Sequence, residues 1–188
     1  MPGDIATVLR DLTRAEQEAA ELVSGLSVAQ INWRPNSGRS WSIAQCLNHL
    51  ARINRVYSAA MYETASHAGK EPASSSQAIS PGWFGAWFIR SMEPPVRTRM
   101  KSPRKAIPIQ EQCDPVDALA EFVESHEPVR GVIEASRQLD LNRVRFKNPF
   151  LPILRFTIGT GLMVINAHDR RHLWQAGQVR RAAGFPAA

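Results

Sequence analysis

Between Asp4 and Ser24 the apolar residues Ile5, Val8, Leu9, Leu12, Ala19, Leu22 and Val23 recur at helical spacing, and Asp4 stands where its carboxylate caps a first turn. The pattern predicts a first helix there. A short turn is expected at 27–30 and a loop through Trp33-Arg34-Pro35-Asn36-Ser37-Gly38. Ser42-Ile43-Ala44-Gln45 has the form of a capping box, opening a second helix that carries Leu47, Leu50, Ile53, Val56, Tyr57 and Met61 to about Ser66. The serine-rich run from Gly69 to Pro81 reads as a flexible connection.

Residues 82–113 are less regular. Trp83, Phe84, Trp87, Phe88 and Ile89 fit one or two apolar helical turns, but Pro94, Pro95, Pro103 and Pro108 forbid a long helix beyond them. The segment is expected to be a long crossover that lays aromatics over the bundle, with Trp83 and Trp87 roofing any pocket. Asp114-Pro115 supplies an N-cap and a first-turn proline for a third helix reaching about Gln138, kinked or interrupted at Pro128. A fourth helix extends from about Thr157 to Ala183, before Gly184 and Pro186. No repeat is evident and no segment alternates enough to require a sheet. The expectation is an all-α four-helix bundle with a long crossover between helices two and three, forming one domain over 1–188.

Polar residues on apolar stripes carry the chemistry. Ile165, His168, His172, Ala176 and Val179 share one helical face, as do Cys46, His49, Ile53, Val56 and Ala60. Three inward histidines on two helices result. A buried imidazole needs a carbonyl, a carboxylate or a metal, and a core histidine with such a partner is the plainer alternative for any one of them. Two imidazoles four residues apart can grip one divalent ion, and a third from another helix completes a set suited to zinc, nickel, copper or iron. His67 and His126 read as surface residues. Asp169, roughly 100° around the helix from His168, reads as the partner of a neighbouring arginine. Trp41 and Trp174 are expected to pack the bundle, and Gln175 either packs or reaches the pocket.

Composition narrows the classes. Hydrophobic residues make up 44% and charged residues 21% of 188 positions, which suits a globular domain. No stretch approaches the roughly 20 apolar residues of a membrane helix. Two cysteines and no secretory pattern fit a reducing cytoplasm. The net charge of +6 gathers at 97–105, at 143–155 and at Arg180 and Arg181. These runs lack interleaved aromatics, so solvated loops and helix ends are favoured over nucleic-acid binding.

Trp41-Ser42-Ile43-Ala44-Gln45-Cys46-Leu47-Asn48-His49-Leu50 and His168-Asp169-Arg170-Arg171-His172-Leu173-Trp174-Gln175 resemble two motifs of the DinB-like superfamily. The resemblance implies up-down-down-up topology and one divalent transition metal, zinc or nickel foremost, held by His49, His168 and His172. It further implies a transferase or isomerase using a low-molecular-weight thiol, or a hydrolase, acting on a small-molecule substrate. A non-catalytic metal-binding or stress-associated interaction protein is the alternative. Gln45 stands where many relatives carry an acid, and an amide cannot act as a general base. A homodimer is the default expectation for a bundle with exposed faces.

Overall fold

The computed structural model describes residues 3–69, 78–96, 106–108 and 111–187. The basic run 97–105, part of the expected crossover, lies outside the described residues. The elements are β1 (Gly3–Asp4), α1 (Ile5–Val23), α2 (Val28–Asn32), α3 (Ile43–His67), β2 (Ala78–Ile79), α4 (Gly82–Met92), α5 (Pro115–Glu124), α6 (Glu127–Ala135), β3 (Arg145–Lys147), β4 (Arg155–Thr157) and α7 (Ile158–Arg180).

Helix starts follow local chemistry. Asp4 accepts the Thr7 amide at 2.6 Å, Asp114 accepts that of Val116 at 2.8 Å, and Thr157 accepts that of Thr160 at 3.1 Å. Ser42 and Gln45 close the capping box of α3 in both directions. The turn at 27–30 is in fact a short helix, α2, opened by a second capping box between Ser27 and Gln30. The third predicted helix is two: α5 stops at Glu124, and Pro128 stands in the first turn of α6, where its missing amide proton is tolerated.

Two antiparallel pairs correct the expectation of no sheet. β1 pairs β2 through Gly3↔Ile79, and β3 pairs β4 through Phe146↔Phe156. Phe146 and Phe156 are buried between exposed Arg145, Lys147 and Arg155. Alternation confined to three residues gives no readable period.

The core divides into two apolar clusters, and all the long elements cross the divide at one level. α1 passes from the first cluster at Leu12 to the second at Ala15, and α7 passes from Ala167 to Leu173. α3 crosses the other way between Leu50 and Ile53, as does the chain from Phe122 in α5 to Val129 in α6. The divide holds polar side chains. His126, read from sequence as a surface residue, is 0% exposed there. Its Nδ1 lies 2.8 Å from Glu16 Oε1 and its Nε2 lies 3.2 Å from Asp169 Oδ2. Carboxylates only accept, so a ring between two of them carries both protons. Burial alone pushes the His126 pKa down, but Asp169 and then Glu16 outweigh it and the net shift is upward. Asp169 also accepts from Asn54 at 3.3 Å, and Arg130 donates to Glu16 at 2.7 Å. Among the described residues no arginine pairs with Asp169: Arg170 turns away to Asp11 at 2.8 Å and Glu93 at 2.6 Å.

Removing one member of a buried ionic set strands the others, so Asp169→Ala is expected to cost about 3 to 5 kcal/mol in urea unfolding. Arg137→Ala, which breaks only the exposed pair with Glu134, should change stability by no more than about 0.5 kcal/mol. Gly161 gives a packing test at the α3–α7 contact. A Cβ there would stand 2.5 Å from Met61 Sδ and 2.7 Å from the Phe146 ring. Gly161→Ala should therefore destabilise by about 1 to 3 kcal/mol in the same assay.

Candidate metal centre

α3 and α7 run in opposite directions. Trp41 at the start of α3 stacks on His172 late in α7, and Met61 late in α3 meets Gly161 at the start of α7. His49 therefore faces the middle of α7, where His168 and His172 project one turn apart. Ring centroids are separated by 5.1 Å for His49 and His168, 4.5 Å for His49 and His172, and 4.6 Å for His168 and His172. One nitrogen of each ring lies within 4.8 Å of the others. The structure thus brings together the three histidines singled out in the sequence.

The orientation of His49 is fixed from behind. Its Nδ1 lies 2.5 Å from the carbonyl oxygen of Ala106, which can only accept, so Nδ1 carries the proton and Nε2 presents a lone pair. That Nε2 lies 3.3 Å from Nε2 of His168. A backbone carbonyl holding the far nitrogen is how proteins set the tautomer of a metal-binding histidine. Nδ1 of His168 and of His172 are buried with no hydrogen-bond partner among the described residues.

Charge points the same way. Burial lowers the His49 pKa to about 4, with the Ala106 hydrogen bond opposing and Arg52 adding to the shift. His168 is held well below the ordinary range by burial and then by His172, His49 and Arg171. His172 is held down by burial, His49 and Arg171, against a hydrogen bond to Gln175 that works the other way. At neutral pH all three are neutral. Three converging imidazoles that resist protons fit a divalent transition ion.

The triad lies in the wall of a cavity of about 800 Å³. Trp41 leans over it, 4.8 Å from the His49 ring and 5.7 Å from that of His172. Trp41 also packs against the second core cluster, whereas Trp174 lines the cavity and joins neither cluster. Trp83 and Trp87 do not roof the pocket. They are 84% and 59% exposed, and it is Phe88 and Met92 on the other side of α4 that face it. Gln175 lines the cavity, while Gln45 accepts the Ser42 amide in the capping box. His67 is exposed, within reach of the Glu63 carbonyl at 2.7 Å. Arg143, Arg145, Lys147 and Arg155 are exposed, and Arg180 donates to the final carbonyls of α1.

Sequence reasoning missed Arg39, Tyr57, Asn148 and Phe150, which also line the cavity. Tyr57 had a signal, since it follows His49 by eight residues on one face. The others stand on loops whose path no periodicity reveals. Arg171 lines the cavity and donates to the Ser91 carbonyl at 3.3 Å, and burial lowers its pKa. No aspartate or glutamate lines the cavity among the described residues.

No curated protein matches the sequence. Among solved structures, YfiT from Bacillus subtilis is similar with a TM-score of 0.56 at 19% identity, over 93% of this chain and 84% of that one. It is described as "a probable metal-dependent hydrolase with an unusual four-helix bundle topology". The likeness shows a shared four-helix-bundle fold. The model of the DinB superfamily matches residues 11–176, from the first helix through both histidine segments, and the chain belongs to that superfamily.

Proposed function

We propose that this protein is a metal-dependent enzyme acting on a small-molecule substrate, with one divalent transition ion, zinc or nickel, held by His49, His168 and His172. The observation that carries the reading is the convergence of three neutral imidazoles, one oriented from behind by Ala106, on a cavity large enough for a metabolite. Such an ion, when bound, supplies Lewis acidity and lowers the pKa of a coordinated water or thiol. The reaction is hydrolysis or transfer to a low-molecular-weight thiol, and a requirement for added thiol separates the two. The class described for YfiT agrees with the hydrolytic form. In this reading the bundle is up-down-down-up and the setting is the reducing cytoplasm. α1 alongside α7, α3 against it, and two cysteines outside any disulfide support it.

The surrounding residues have definable work. Trp41 shields the rings from water on one side, which strengthens electrostatic interactions at the centre. Arg39 and Arg171 give the cavity a positive wall and favour an anionic group. Tyr57 accepts a hydrogen bond from Asn148 at 2.5 Å and retains its own proton. Burial raises its pKa, so it serves as a donor and not as a base at neutral pH.

Elemental analysis of protein purified without an affinity tag is expected to find a single equivalent of transition metal per chain. His49→Ala and His172→Ala should each weaken zinc binding by more than about 100-fold, beyond what loss of an outer partner alone produces, with helicity retained by circular dichroism. Full-strength binding in both variants would remove the triad from the reading.

The metal-free protein should also carry a pH signature. Unfolded histidines titrate near 6.5, and the folded triad titrates lower, so between these values the unfolded state holds more protons. Stability therefore falls as pH drops through about 6.5 toward 4. His126 works in the opposite sense: its raised folded pKa gives stability that is complete below 6.5 and lost as pH rises through the folded value. Replacing all three triad histidines with alanine should flatten the loss between pH 7 and pH 5 in urea titrations, whereas His126→Gln should leave that slope in place.

A further inference from the structure

The cavity is not centred on the triad from one side only. Because α3 and α7 are antiparallel, its lining can be ordered along the helix pair. On one side of His49 and His172 the wall is mixed, with polar Asn36, Arg39, Ser40, Gln175 and Gln178 beside apolar Trp41, Trp174 and Val179. On the other stand Ile53, Phe88, Met92, Phe150, Val164 and Ile165. Tyr57 and Asn148, bonded to each other, close the far end of this second arm. His49 to Tyr57 is eight residues of α3, or about 12 Å along the axis.

The two arms differ in what they reward. Side chains of α3, α4, α7 and the segment around Asn148 and Phe150 converge on the second arm without filling it, so its walls face a space that water wets poorly. A polar ligand gains little there and loses its hydration. A hydrocarbon group gains at every buried methylene. α4 makes this arm: its outer face carries exposed Trp83 and Trp87, while Phe88 and Met92 turn toward the cavity.

We propose that the substrate carries a hydrocarbon group, an alkyl chain or an aryl ring, that enters the arm between the triad and Tyr57 while its polar remainder lies on the opposite side of the triad. This deepens the metal-enzyme reading and rests on it for the position of the reacting group. The arm itself is a property of the fold with or without an ion.

Two probe series test it by calorimetry. Zinc-loaded protein is titrated with straight-chain hydroxamates from acetohydroxamate to octanohydroxamate, whose head groups bind metal. Metal-free protein is titrated with straight-chain alcohols from propanol to octanol. Affinity is expected to rise roughly fourfold per methylene in both series, the ratio that corresponds to burying one CH₂. Met92→Glu, which puts a charge on the arm, should flatten both gradients, and Met92→Trp, which fills it, should cut them off at shorter chains. Trp83→Ser, on the exposed face of α4, should leave them unchanged. Flat gradients in the wild-type protein overturn the proposal even if acetohydroxamate binds, and so do gradients lost in Trp83→Ser but kept in both Met92 variants. If acetohydroxamate fails to bind while the alcohols keep a gradient sensitive to Met92, the metal reading falls and the apolar arm stands.

Discussion

One layer of ionisable side chains, buried at the same height on α1, α3, α7 and the α5–α6 break, governs how this bundle is put together. Taking such groups out of water is costly unless each is neutralised or paired. The layer uses both solutions side by side. His49, His168 and His172 stay neutral because burial, and after it neighbouring positive charge, disfavours protons. His126 stays charged because two carboxylates flank it. The two sets are joined through adjacent residues, His168 and Asp169, so the rotation that delivers Asp169 to His126 also delivers His168 to His49.

α7 shows why that rotation is so tightly set. Its five residues from His168 to His172 step around the helix by about 100° each and every one meets a different partner. His168 faces His49, Asp169 faces His126 and Asn54, Arg170 faces Asp11 and Glu93, Arg171 reaches Ser91, and His172 lies under Trp41. A helix enclosed over most of its circumference, with only Gln178 and Arg180 fully exposed, has little solvent face and little amphipathic character. Its register is specified by polar contacts in several directions, which tolerate less rotation than an apolar stripe does.

That arrangement also explains what could be read from the sequence. The ends of α1, α3 and α7 and the triad were legible because caps and the i, i+4 pair are local features with a fixed geometry. Asp169 was misread for the same reason. Counting 100° from His168 placed it off the metal face, correctly, but a local rule then assigned it the nearest arginine. Its true partner, His126, lies 43 residues away at the break between α5 and α6. His126 looked exposed because a glutamate and a proline follow it, yet those residues mark the break between α5 and α6 that turns its ring inward. The short strands were invisible because pairing over two or three residues leaves no period to detect.

The triad and the cavity beside it are therefore encoded differently. The histidines sit on two long antiparallel helices that meet from the Trp41–His172 contact to the Met61–Gly161 contact, so their convergence follows from stripe and spacing. Beyond α3 and α7 themselves, the walls come from the loop before α3, from α4, and from the segment around Asn148 and Phe150, three stretches whose placement depends on long-range packing. A chain can keep the two motifs, and with them the chemistry an ion offers, while changing these stretches and so the molecule admitted. Phe88 and Met92 illustrate the point: they share an eleven-residue helix with Trp83 and Trp87, and only the docking of that helix on α7 decides which aromatic and aliphatic side chains face the site. The triad is thus a property of the bundle's middle layer, and the shape of the cavity a property of what is laid over it.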